Sequence, residues 1–154
     1  MAEHELVVER LMDAPASALW RAYTDHLDAW FCPPPWRAEV QEMDLRPGGS
    51  ASITMYGPNG EVMPNRGVYL EVVPERLIVF TDAFTPGWDP AGAPFMVGSF
   101  AFEPQSDGRT RYQGRARHWT AEAKAQHAAM GFHEGWGKVA EQWEAVARRI
   151  AAEP

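Results

Sequence analysis

The chain has 154 residues, of which 45% are hydrophobic, 12% aromatic and 23% charged, a balance that supports one globular domain with its own core and excludes an intrinsically disordered chain. Fourteen Lys and Arg against 21 Asp and Glu leave a formal charge of −7, a field that repels phosphate backbones and anionic lipid, so neither nucleic acid nor a membrane is expected as partner. Cys32 is the single cysteine; it has no partner for an internal disulfide, which fits a reducing, cytoplasmic setting.

The start, Met1-Ala2-Glu3-His4-Glu5, is acidic and lacks the basic, apolar character of a secretory signal. No apolar run approaches the roughly 18 residues that a membrane-spanning helix requires. Residues Glu5 to Met12, rich in Leu and Val, predict a first strand that ends at Asp13-Ala14-Pro15, where proline suits a first helical turn. Ala16, Leu19, Trp20 and Tyr23 then recur at the spacing of a short amphipathic helix. A second short helical piece over 27–31 stops at Pro33-Pro34-Pro35, which cannot donate backbone hydrogen bonds.

From Trp36 onward, short runs divided by turn residues predict an antiparallel meander, with strands near 36–44, 50–56, 66–73, 76–82, 95–103 and 109–118. Arg46-Pro47-Gly48-Gly49 and Pro58-Asn59-Gly60 supply tight turns. Val73-Pro74-Glu75-Arg76 joins two runs so briefly that they must be hairpin neighbours. The stretch from Phe84 to Pro94 is long and loop-like, a length often tied to function. In the last strand Arg109, Arg111, Arg115 and Arg117 alternate with smaller and aromatic residues, so a two-residue pleat sends the arginines to one face. A solvated outer surface balanced by carboxylates is the preferred reading of that face over an anion site.

The C-terminal segment carries the strongest periodicity. Ala125, Ala129, Phe132, Trp136, Val139, Trp143, Val146 and Ile150 form one apolar seam on a helix expected from Thr120, a fitting N-cap, to Ala152. Such a helix would be about 50 Å long and is expected to bend near Gly131, Gly135 and Gly137. A single domain over residues 1–154 follows. Its fold class is α+β: a helix-grip fold, in which a curved antiparallel sheet with two short helices after its first strand wraps a long C-terminal helix.

Arg10 with Asp13-Ala14-Pro15, Leu19-Trp20-Arg21-Ala22-Tyr23-Thr24-Asp25 and Trp30 are followed in order by Asp44-Leu45-Arg46-Pro47-Gly48-Gly49, Gly67-Val68-Tyr69-Leu70-Glu71-Val72, Pro74-Glu75-Arg76-Leu77 and Gly135-Trp136. Together these resemble the family of homologues of the heat shock protein 90 ATPase activator, within the START-like, or SRPBCC, superfamily, over roughly residues 5–150. The resemblance implies a largely apolar cavity between sheet and C-terminal helix, used across the superfamily for small hydrophobic molecules and in some members for cyclisation, dehydration or hydrolysis. Eukaryotic activators carry an additional N-terminal domain, whereas this chain opens on the first strand, so the chaperone role is not expected to carry over.

Strand parity turns Phe100, Phe102, Tyr112 and His118 inward, facing Met130, His133, Glu134 and Trp136 on the helix, with Phe84 and Trp88 of the long loop placed to close a mouth. These ten are the expected ligand-binding residues, their aromatic rings suited to flat or amphipathic guests. His118, His133 and Glu134 are the only concentration of proton carriers, and a catalytic reading of cyclase, dehydratase or hydrolase type rests on them. Adjacent helix positions point about 100° apart, which already counts against His133 and Glu134 acting on one atom. No metal or cofactor is expected: His127 and His133 are six apart, and no glycine-rich loop opens a helix after a strand. Ser17, Ser50, Ser52, Ser99 and Ser106 lie in no nucleophile-elbow context, and Cys32 has no adjacent base. A third reading is an interaction module, docking a chaperone or a second copy of itself. The preferred expectation is a binder of a small hydrophobic ligand.

Overall fold

A computed structural model describes residues 3–153. β1 (Glu5–Met12) leads into α1 (Ala16–His26) and a 3-10 turn (Leu27–Ala29). Next come β2 (Arg37–Met43), β3 (Ser50–Tyr56), β4 (Val62–Val73) and β5 (Leu77–Thr81), then a two-residue hairpin of β6 (Phe84–Thr85) and β7 (Asp89–Pro90). β8 (Val97–Pro104), β9 (Thr110–Arg117), α2 (Ala121–Ala129) and α3 (Phe132–Ala152) complete the chain.

Seven strands form one antiparallel sheet in the order β1-β9-β8-β5-β4-β3-β2, so β2 to β5 and β8 to β9 follow as neighbours, the β6–β7 hairpin is inserted between β5 and β8, and β1 closes the edge beside β9. The connection from β1 to β2 carries α1 and the 3-10 turn across the sheet from one edge to the other. β4 starts earlier than its apolar pattern predicts, because the 57–61 turn brings Val62 directly opposite Tyr56. Register shifts between Val40 and Glu42 and between Tyr69 and Glu71 give the local twist that curves such a sheet. On β9 the expected alternation holds: Tyr112, Gly114 and Ala116 are buried, while Arg111 and Arg117 are exposed. Arg109 and Arg115 are balanced by Asp107 and Glu5.

The single helix expected over Thr120–Ala152 is two helices. Thr120 caps α2 as expected, its hydroxyl accepting from the Ala123 N–H at 3.0 Å. The break falls at Gly131 alone, whose φ of 91° lies in the left-handed region that a Cβ penalises; Gly135 and Gly137 continue α3. The break resets the helical phase. Ala125 and Ala129 are therefore exposed, and the buried residue of α2 is His127. From Phe132 the predicted seam faces inward, with Phe132, Trp143, Val146 and Ile150 buried and Trp136 and Val139 half-buried, and Ala140 and Ala147 buried beside it.

α3 packs on α1 and β1, and polar contacts fix where it lies. The Trp143 indole N–H donates to Leu19 O at 3.0 Å, and Gln142 Nε2 donates to the carbonyls of Trp30 and Cys32 at 2.9 Å each. Glu144 accepts from Arg10 Nε at 2.6 Å and from the Asp13 N–H at 2.7 Å. These bonds tie the second half of α3 to β1, α1 and the segment before β2.

Candidate functional site

Beneath the second half of α3 the interval between helix and sheet is occupied by aromatic rings. Trp143 is 0% exposed; it stacks on Trp30 with centroids 4.3 Å apart. It also meets Phe100, Phe102 and Tyr112 edge-on at 5.3, 5.4 and 5.3 Å. Phe100, Phe102 and Tyr112 face inward as strand parity predicts, yet here their rings pack as core around Trp143. Tyr23 and Tyr69 join them from α1 and β4, their hydroxyls 2.9 Å apart. Burial, then the neighbouring Tyr69, pushes the Tyr23 phenol well above its ordinary pKa, so the pair is a neutral hydrogen bond.

Beneath the first half of α3 the packing is interrupted. Leu6, Ala116 and Phe132 form a small buried group separate from the main core, and Val8 and Trp136 border both. On β9 the residue between the two groups is Gly114, flanked by Tyr112 on one side and Ala116 on the other. Phe100 touches Trp136 and Phe80, with centroids 5.9 and 5.2 Å away. Phe80, Trp136 and Val139 pack against the core but remain partly exposed. One helical position N-terminal to Trp136, a Cβ built on Gly135 would meet no atom within 4 Å. The result is a partly exposed apolar margin, with open space on the helix at Gly135 as there also is at Gly137.

His118 is buried as expected, but its partner is His127. His118 Nδ1 is 2.8 Å from Phe95 O, and His118 Nε2 is 3.0 Å from His127 Nδ1. A carbonyl can only accept, so in the neutral state Nδ1 of His118 carries the proton and Nε2 accepts from the His127 Nδ1–H. Phe95 and Phe132 pack edge-on against His127 at 5.0 and 5.1 Å. Burial, and secondarily His118, lowers the His127 pKa to about 4.

Met130, His133 and Glu134 are exposed, which corrects their expected inward placement. Met130 caps the end of α2 and is 65% exposed, having been carried outward by the break at Gly131. His133 and Glu134 occupy the first turn of α3 off the seam set by Phe132 and Trp136. The proposed trio of proton carriers is thus divided between a buried histidine pair and the surface, and no shared site joins them. Phe84 and Trp88 contact each other at 5.6 Å. Trp88 lies over Gly48, where a Cβ would come within 3.0 Å of the indole. This places the loop on the rim of a surface hollow of about 440 Å³ beside the Asp44–Ser50 turn, whose Arg46 and Asp44 are already paired at 2.8 Å.

Phe80 is absent from the residues that strand parity picked out, whereas Val139 and Gly135 stand in the predicted helix without a site role. His127 was measured only against His133 along an unbroken helix, and that spacing conceals its real neighbour across the sheet.

The His127 environment predicts a pH dependence. A histidine held neutral below its ordinary value of 6.5 binds a proton more readily when unfolded, so its contribution is complete above pH 6.5 and is lost as pH falls from there toward 4. Between pH 7.5 and pH 5 the loss is up to about 2 kcal/mol. Urea unfolding at pH 7.5 and pH 5 measures it. His127→Asn, which keeps a donor toward His118 Nε2 but does not titrate, should flatten the slope; an unchanged slope contradicts the assignment.

A seven-stranded antiparallel sheet covered by a long C-terminal helix, with two short helical pieces after the first strand, defines a helix-grip, START-like protein. Within that class the chain belongs to the family described as activator of Hsp90 ATPase homolog 1-like proteins, whose model matches residues 13–148. A crystallographically solved protein from Nitrosomonas europaea is 35% identical, with a TM-score of 0.92 over 99% of this chain and 100% of that one. A Mycobacterium smegmatis protein is 26% identical, with a TM-score of 0.77 over 100% and 98% of the two chains. An Arthrobacter aurescens protein, 23% identical with a TM-score of 0.80 over 94% and 86%, shares the fold. No curated protein matches the chain. Among the described residues no helix is long and apolar enough to cross a membrane.

Proposed function

We propose that the protein binds a small apolar or amphipathic molecule at the first half of α3, between Trp136 and Val139 on the helix and Phe80 and Phe100 on the sheet. The observation that carries this reading is the free space at Gly135 beside aromatic side chains that are only partly covered. An apolar guest there removes further aromatic surface from water, at about 25 cal/mol per Å² of area buried. The filled interval around Trp143 confines the guest to this end of the helix.

Titration with the fluorescent probe N-phenyl-1-naphthylamine tests the reading. Emission rises on binding to the native chain, and Gly135→Leu weakens binding at least about tenfold, because its side chain takes space worth two or more methylenes at roughly 0.8 kcal/mol each. The same substitution removes a glycine from a helix interior and should stabilise the fold by up to about 1 kcal/mol, so weaker binding cannot be ascribed to unfolding. No emission change with the native chain, or equal affinity in both, contradicts the proposal.

A further inference from the structure

The polar tips of the buried aromatic residues form a set with one odd member. Trp30 Nε1 donates to Ala22 O at 2.9 Å, Trp143 Nε1 donates to Leu19 O at 3.0 Å, and the Tyr23 and Tyr69 hydroxyls bond each other at 2.9 Å. Tyr112 is 2% exposed, and among the described residues its hydroxyl has no hydrogen-bond partner: burial alone acts on that phenol, and it acts upward. Buried hydroxyls are normally bonded, and leaving one unmet costs free energy. Glu5 Oε1, which faces Arg115 Nε at 3.1 Å, is the only fully enclosed side-chain oxygen or nitrogen without a hydrogen bond among the described residues. The Tyr112 hydroxyl must therefore open onto space that admits at least a water-sized body.

Backbone and neighbours say where that space is. The Tyr112 ring leans along β9 toward Gly114, where a Cβ would stand 2.5 Å from Tyr112 Oη and 3.2 Å from Val8 Cγ2. The absent side chain at 114 is what lets the phenol reach beyond the main core. Its tip thus points into the interruption between the two buried groups, the interval bordered by Val8 and Trp136. Phe100, opposite Gly114 on β8, is shared by this interval and the binding margin proposed above. Charge narrows the choice of guest. Arg10 is in register with Tyr112, but its guanidinium is already paired with Glu144 at 2.6 Å, leaving no free cation there to balance an anion.

We propose that the Tyr112 hydroxyl is the polar anchor of the site, donating one hydrogen bond to an uncharged acceptor, such as a ketone, ester or ether oxygen, on an otherwise apolar guest. The proposal rests on the binding reading and adds to it the chemistry by which a guest is selected. A hydrocarbon of the same shape enters the same margin but leaves the hydroxyl unmet, so the acceptor oxygen is what distinguishes a specific ligand from a generic one.

Two probes of matched shape, 2-acetylnaphthalene and 2-ethylnaphthalene, separate the two readings when titrated against the native chain and Tyr112→Phe. The ketone should lose roughly five- to tenfold in affinity on this substitution, the worth of one hydrogen bond, while the hydrocarbon is unaffected. The infrared carbonyl band of the bound ketone should be shifted to lower frequency in the native chain and should return in the variant. Because the hydroxyl has no partner in the protein, Tyr112→Phe should melt no lower than the native chain. Equal weakening of both probes, an unshifted carbonyl band, or a lower melting temperature would overturn the anchor while leaving the binding reading standing. Failure of both probes to bind the native chain would overturn both readings.

Discussion

Trp143→Ala is expected to lower the free energy of unfolding by about 3–5 kcal/mol, the range for deleting a fully buried aromatic side chain. Its ring stacks on Trp30 at 4.3 Å and meets three further aromatic residues edge-on within 5.4 Å. Its indole N–H is also the bond that ties α3 to Leu19 of α1. Alanine leaves a cavity among rigid rings and also removes the indole bond that holds α3 against α1. Trp143→Phe retains most of the ring contacts and should recover about half of the loss. Urea denaturation followed by circular dichroism measures both variants; a Trp143→Ala chain within 1 kcal/mol of the native value, on the scale of a surface substitution, contradicts the placement of this ring at the centre of the core.

The second large effect concerns the carboxylate that clamps α3 to the first strand. Burial of Glu144 opposes its charge, but the Asp13 N–H and Arg10 outweigh it and hold the carboxyl below its ordinary pKa. Arg10→Met should cost about 2 kcal/mol at pH 7, between an exposed and a fully buried pair because the Arg10 side chain is itself 41% exposed. The double variant Arg10→Met with Glu144→Met should regain much of that loss, since no charge is then left unpaired. The sign of the pH effect follows from the lowered pKa. The contribution of Glu144 is fully present above the ordinary carboxyl value and is lost as pH falls through the lower, folded value. In Arg10→Met the folded value moves back up toward or past the ordinary one, so the acid-induced loss due to Glu144 should be smaller than in the native chain. A double variant no more stable than the single one contradicts the clamp.

The sheet was legible in the sequence because its turns are short and chemically marked. Arg46-Pro47-Gly48-Gly49 and Val73-Pro74-Glu75-Arg76 leave few ways to join their flanking runs, and alternation along β8 and β9 turns Phe100, Phe102 and Tyr112 inward, as they lie. The seam from Phe132 to Ile150 was legible for the same reason: a repeat of three and four residues has one helical reading. Periodicity reports faces, however, and carries no information on volume. Whether inward rings line a hollow or fill it depends on Trp143 and Trp30 meeting across the fold, which spacing along the chain cannot express. The helix break was hidden by the presence of three glycines, of which only Gly131 adopts a positive φ. That one dihedral decides the fate of Met130 and the phase that brings His127 under the sheet. His118 was recognised as a buried polar group, but its bond to His127 joins a strand end to a separate helix.

The most direct test follows the seven tryptophan indole N–H signals in a nitrogen-15 spectrum while 2-acetylnaphthalene is added. The Trp136 signal should move in proportion to occupancy, while Trp30 and Trp143, enclosed beneath the second half of α3, stay in place. Saturating probe that leaves Trp136 unmoved, or that moves only the exposed Trp88 and Trp119, would contradict a guest site at the first half of α3.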